Sequence, residues 1–237
     1  MMKLLLTDSG VKNASIQDAL VGLLGKPVAE ADALCIPTAG YGGPGADPRG
    51  PWRFVSGRSE LHMTDLGWKS VGVLELTALP SIDRERWVSW VEEADVLLVN
   101  GGDPLYLAHW MRESGLAALL PSLHDTVYVG LSAGSMVMTP RVGEDFVGWR
   151  PPAGGDSTLG VVDFCIFPHL DHPACPENTS AAAEKWAAGI GHRSYATDDQ
   201  TALMVVDGAV EVVSEGRWRH FDPDADPDAD TDAAPRS

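Results

Sequence analysis

The chain has 237 residues, 44% hydrophobic and 22% charged, which is enough apolar material for one large α/β domain with a core of its own. Its formal net charge of −17 repels phosphate backbones and anionic headgroups, so neither nucleic acid nor a membrane is an expected partner. Part of that charge is a low-complexity run of Asp222, Asp224, Asp226, Asp228, Asp230 and Asp232 spaced by Pro and Ala, a composition expected to be disordered. A single domain is therefore expected over residues 1–221, followed over 222–237 by an acidic tail that serves solubility.

No stretch reaches membrane-spanning length. Residues 1–6 are too short for a secretory core and run directly into Thr7-Asp8-Ser9. Cys35, Cys165 and Cys175 show no paired spacing, and the first two lie in apolar runs as small hydrophobes. A reduced, cytoplasmic setting is expected.

Residues 3–7 read as a strand, and 15–24 as an amphipathic helix with Ile16, Leu20, Leu23 and Leu24 on one side, ended by Gly25 and Pro27. A second strand, 33–36, opens into a loop over 37–45 too rich in glycine to be regular. A helical stretch broken near Pro51 follows to about residue 66, then a strand over 71–76 and a helix over 83–94 with Trp87, Trp90 and Val91 on one face. The fourth strand, 95–99, enters Asn100-Gly101-Gly102-Asp103, and Pro104 suits the first turn of a helix to about Gly115. The β-branched run from Val127 breaks into Gly130-Leu131-Ser132-Ala133-Gly134, and a short apolar helix follows up to Pro140. Residues 141–158 are irregular; 161–167 form a buried strand that ends in Pro168-His169-Leu170-Asp171-His172; 177–188 form a helix. Short strands over 201–206, 209–213 and 217–221 are joined by Asp207-Gly208 and Glu215-Gly216, both hairpin signals.

Apolar strands alternating with helices predict a three-layer α/β/α fold with a mostly parallel sheet, closed by C-terminal antiparallel strands. In such sheets ligands gather at the carboxyl ends of the strands. That rim carries Asp8-Ser9, the 38–45 loop, residues 100–103 and Ser132. Thr38, Tyr41 and Asp103 are the substrate contacts expected on it.

Gly-x-Ser-x-Gly between a strand and a helix reads as a nucleophile elbow, because a turn that lifts a serine above a sheet crowds both flanking positions. Ser132 then needs a base and a group to orient it. Of seven histidines, His169 alone ends an apolar strand at the same rim. His169, Asp171, His172 and Cys175 in one loop also invite a metal reading, but their spacing matches no specific zinc pattern. Glu144 and Asp145, just past the elbow helix, are the candidate orienting acids, with Asp156 a more distant one. The N–H of Ala133, with one from Gly101 or Gly102, would form the oxyanion hole.

Val99-Asn-Gly-Gly-Asp-Pro104, Gly130-Leu-Ser-Ala-Gly-Ser135 and Phe167-Pro-His169, in this order, resemble the peptidase E (aspartyl dipeptidase) family of serine peptidases over residues 3–221. The resemblance implies the class I glutamine amidotransferase-like, flavodoxin-like fold. It implies a dipeptidase-like enzyme that hydrolyses small peptides; no cofactor is expected, and the chain is expected as a monomer or homodimer. It also implies Ser132 as nucleophile, His169 as base, and an acid in the 144–145 region, with Asp145 preferred and Glu144 open. The chain departs from the family where an arginine in a Gly-Glu-Thr-Arg-like segment reads a substrate aspartate. Here the stretch is Pro176-Glu177-Asn178-Thr179-Ser180, which weakens the expectation of aspartate preference. An esterase with the same order of residues, and an amidotransferase-like domain that binds without catalysis, are the alternatives.

Overall fold

The computed structural model describes residues 2–224, so the tail from residue 225 onward lies outside the described residues. Strands β1 (Lys3–Thr7), β2 (Asp32–Ile36), β3 (Ser70–Val73), β4 (Val96–Val99) and β5 (Val127–Leu131) run parallel in the order β3-β2-β4-β5-β1. β6 (Cys165–Phe167) and β7 (Ser194–Thr197) leave this sheet and pair with each other. The chain then returns as β8 (Thr201–Val206), antiparallel to β1, and turns through Asp207-Gly208 into β9 (Ala209–Ser214). Both turn residues have positive φ, 50° and 82°, the geometry whose twist matches a two-residue hairpin.

Successive side chains of the parallel strands point to opposite faces, and both faces are buried. Leu5, Cys35, Leu98 and Val129 meet Ile16, Leu20 and Leu23 of α1 (Ala14–Leu24) and Phe54 of α2 (Arg49–Val55). Leu4, Leu6, Leu97 and Val99 meet Trp87 and Val91 of α3 (Arg84–Glu92) and Leu105 and Met111 of α4 (Pro104–Glu113). Burial on both sides explains why these strands read as unbroken apolar runs. α5 (Leu116–Leu119) extends the second layer, α6 (Ala133–Met136) follows β5, and α7 (Ser180–Ile190) packs on the small sheet through Ala183, Trp186 and Ile190. No helix among the described residues is long and apolar enough to cross a membrane.

Four local expectations need correction. The helix expected to reach residue 66 stops at Val55, because Gly57, His62 and Gly67 take left-handed φ of 65°, 42° and 85°. Trp90 does not share the buried face of Trp87 and Val91; it is 43% exposed. The strand expected over 161–167 begins only at Cys165. Its expected first half is used elsewhere: the N–H groups of Leu159, Gly160, Val161 and Val162 donate to the carbonyls of Val137, Thr139 and Met138, which α6 leaves open.

The final strand differs most. β10 (Trp218–Phe221) pairs antiparallel with β7 in the small sheet rather than with β9, so Glu215-Gly216 is a crossing between sheets and not a hairpin. Asp198, just past β7, holds that crossing. Its carboxylate accepts from the N–H groups of Gln200 and Arg217 and from Thr201 Oγ1, while its own N–H donates to the Arg217 carbonyl. A Cβ on Gly216 would lie 2.3 Å from Asp198 Oδ2, so only glycine fits beside it. Asp198→Ala leaves three donors without their acceptor and is expected to lower stability by about 1–3 kcal/mol, read as a shift of the urea midpoint.

Candidate active site

β5 delivers Ser132 through a turn that glycine alone permits. A Cβ on Gly130 would stand 2.6 Å from the Gly134 carbonyl oxygen, and one on Gly134 would stand 2.4 Å from that of Val99. Ser132 itself has φ 48° and ψ −109°, a conformation that costs a side-chain-bearing residue about 1–3 kcal/mol. Hydrogen bonds from neighbouring strands offset that cost. Ser132 N–H and Ser135 Oγ both donate to the Thr7 carbonyl, at 3.1 and 2.8 Å. Thr7 Oγ1 donates to the Gly130 carbonyl, and Tyr128 OH to that of Gly134, each at 2.7 Å.

His169 comes from the other sheet, two residues beyond β6, with φ 57°. Asn178 Nδ2 donates to the Pro168 carbonyl at 2.8 Å, and Leu170 N–H donates to the Thr197 carbonyl at 2.9 Å, which fixes the turn. Its Nε2 lies 2.8 Å from Ser132 Oγ. Its Nδ1 lies 2.9 Å from Asp8 Oδ2, and its backbone N–H donates to Asp8 Oδ1 at 2.7 Å. A carboxylate on Nδ1 makes that nitrogen the donor and leaves Nε2 free to accept from the serine. Ser9 Oγ also donates to Asp8 Oδ2, and the Asp8 side chain is fully buried.

The carboxylate at the ring is therefore that of Asp8 and not the acid expected at 144–145. Glu144 and Asp145 lie on a single 3-10 turn, both exposed, and neither bonds to His169. Asp156 is occupied by Arg141 Nε and the Gly143 N–H, at 2.9 and 2.8 Å. The reason for Asp8 is the sheet order. Thr7 is in register with Leu131, so the first residues beyond β1 and β5 emerge side by side. Asp8-Ser9 is visible in the sequence as a rim segment, but its adjacency to the elbow is a long-range property of strand pairing.

The Asn100–Asp103 turn follows β4, the other neighbour of β5. A Cβ on Gly102, whose φ is 140°, would lie 2.2 Å from the Ala39 carbonyl oxygen. Gly101 approaches the elbow, its Cβ position lying 3.4 Å from Ser132 Cβ. The N–H groups of Gly101 and Gly102 find no acceptor among the described residues. That of Ala133, first in α6, has no carbonyl a turn behind it.

Two cavities meet at Ser132 and His169, one of about 790 Å³ and one of about 510 Å³, sharing Gly102, Pro104, Asp145 and Phe146 as common walls. The smaller is lined by Met136, Phe167, Ala182 and Lys185 and contains no arginine. The larger is walled by the glycine loop and by Arg53 of α2. Of the expected substrate contacts, Asp103 lines the larger cavity, but its carboxylate is engaged. Oδ1 caps α4 through the N–H groups of Leu105 and Tyr106, and Oδ2 accepts from Trp149 N–H. Thr38 and Tyr41 line neither cavity: Thr38 is buried against Glu75 Oε1 at 3.0 Å, and Tyr41 is 44% exposed. Among the described residues no three His, Cys, Asp or Glu side chains assemble as metal ligands; in the 169–175 loop both ring nitrogens of His169 are engaged.

The sequence profile of peptidase family S51 matches residues 4–213. The chain belongs to peptidase family S51. No curated protein matches it. Solved structures share its fold, among them the following two. A candidate peptidase E protein from Listeria monocytogenes EGD-e is 17% identical, with a TM-score of 0.62 over 91% of this chain and 100% of that one. A peptidase from an acI-B1 Actinobacterium is 20% identical, with a TM-score of 0.69 over 94% of this chain and 91% of that one. This S51 protein is thus a serine hydrolase with the peptidase E fold.

Within this S51 site the imidazole carries an altered proton affinity. Burial of His169 disfavours its charged form, but the hydrogen bond and charge of Asp8 prevail and raise its pKa above the ordinary 6.5. A raised folded-state value means that the charged pair contributes stability fully below the unfolded histidine's pKa and loses it as pH rises through the folded one. The stability difference between wild type and Asp8→Asn is therefore expected to be larger at pH 6 than at pH 9, as measured by urea midpoints at both.

Proposed function

We propose that this chain is a cytoplasmic peptidase that hydrolyses small peptides by acyl transfer, with Ser132 as nucleophile, His169 as base and acid, and Asp8 as the orienting carboxylate. The observation that carries the reading is the continuous line from Ser132 Oγ through the imidazole to Asp8, at 2.8 and 2.9 Å. His169 Nε2 takes the serine proton as Oγ attacks the scissile carbonyl carbon. The developing oxyanion lies within reach of the N–H of Ala133 and one from the Gly101-Gly102 turn, donors that need no rearrangement to stabilise it. The imidazolium, held in one tautomer by Asp8, gives the proton to the leaving nitrogen as the C–N bond breaks. Water then attacks the acyl-serine with the same histidine as base, releasing the acid and restoring the serine.

The division of the site into two cavities supports an acyl side chain in the smaller one and a leaving group in the larger. The cation of the smaller cavity is Lys185 and not an arginine, so no bidentate partner for a substrate aspartate lines it, which argues against a strict aspartate preference.

Ser132→Ala is expected to abolish peptide hydrolysis and labelling by a fluorophosphonate probe while leaving the unfolding free energy from urea titration within about 1 kcal/mol of wild type. Asp8→Asn, which favours the wrong imidazole tautomer, is expected to lower kcat by about 10⁴. Wild-type kcat in Asp8→Asn would overturn the assignment of the acid. Ester turnover with inert peptides would favour the esterase.

A further inference from the structure

We infer that the larger cavity selects peptides with free ends, Arg53 binding the C-terminal carboxylate and Asp145 the N-terminal ammonium; this rests on the proposed peptidase reading. The argument is an inventory of charge. Five ionised side chains line that cavity. Asp8 is committed to His169, and Asp103 to the α4 cap and Trp149. Asp47 accepts from Arg49 Nε at 2.8 Å and from the Arg49 N–H at 3.0 Å. Arg53 and Asp145 remain, one of each sign, and the side chain of neither makes a hydrogen bond or an ion pair among the described residues. Most other described cations are engaged, as in the pairs Lys26–Asp95, Lys69–Asp32, Arg141–Asp156, Arg193–Asp163 and Arg219–Glu184; Lys185, which lines the smaller cavity only, has no such partner among the described residues.

Two opposite charges without a hydrogen-bonded partner, lining one cavity, suit a ligand that carries the complementary two, and a short peptide is such a zwitterion. Their places agree with the chemistry. An α-ammonium stands one carbon from the carbonyl that Ser132 attacks, so it must sit where the two cavities join, and Asp145 lines both there beside Ser132 and His169. The terminal carboxylate lies farther along the leaving group, in the larger cavity only, where Arg53 is. A volume of about 790 Å³ is of the size that encloses a drug-sized ligand, which matches a peptide of a few residues and not a folded chain. Guanidinium suits this role because it meets a carboxylate with two parallel hydrogen bonds.

The test uses the tripeptide Leu-Ala-Ala, its C-terminal amide and its N-acetyl form. With the full-length wild type, KM is expected to rise about tenfold for either blocked form, with a smaller change in kcat. Arg53→Ala should raise KM for the free acid about tenfold and leave the amide unchanged, with Arg53→Lys recovering part of the loss. Asp145→Asn should raise KM for the free amine and spare the acetylated form. Calorimetric binding of the same three peptides to Ser132→Ala gives the readout without turnover, so it holds even where the hydrolytic reading fails. Equal affinity for acid and amide there, or an Arg53→Ala loss shared equally by both, overturns the proposal.

Discussion

The last residue of β1 and the first beyond it hold both partners of the Ser132–His169 hydrogen bond. Thr7 accepts the Ser132 N–H and the Ser135 hydroxyl through one carbonyl and donates its own hydroxyl to Gly130. Asp8 grips His169 through ring and backbone together. A serine in a strained conformation and a histidine in a left-handed one both need surroundings that leave no alternative. A single strand end supplies them, because β1 lies directly beside β5 and its register brings Thr7 level with Leu131.

This arrangement separates what local sequence can reveal from what it cannot. The elbow is legible because Gly130 and Gly134 are required by contacts with their own turn and with the adjacent strand, and no other residue fits. The parallel sheet is legible from the unbroken apolar runs of β1, β2, β4 and β5, and His169 from its place at a strand end. The partner of His169 is not legible in that way. Glu144 and Asp145 are close to the elbow along the chain, whereas Asp8 is 161 positions from His169 and becomes its neighbour only through strand order. The engagement of Asp103 in capping is likewise a local signal, an aspartate before Pro104, that a reading focused on the rim passes over. Thr38 lies on the same rim but points into the protein. Position on an edge does not fix the direction of a side chain.

The two sheets also divide the chemistry between them. The large sheet provides Ser132, Asp8 and the Gly101-Gly102 turn, while the small one provides the histidine and, through α7 and the loop before it, much of the smaller cavity. Asp198 and Gly216 fix the point at which the chain passes between them, and Trp186 Nε1 adds a bond to the Val142 carbonyl at 3.0 Å. Groups remote from Ser132 and His169 thus hold the distance on which the proposed proton transfer depends.

Because His169 and Ser132 ride on different sheets, a slip of about 1 Å between those layers would carry the imidazole out of hydrogen-bonding range of the alcohol. In the proposed reaction, seating one layer on the other is accordingly what arms Ser132.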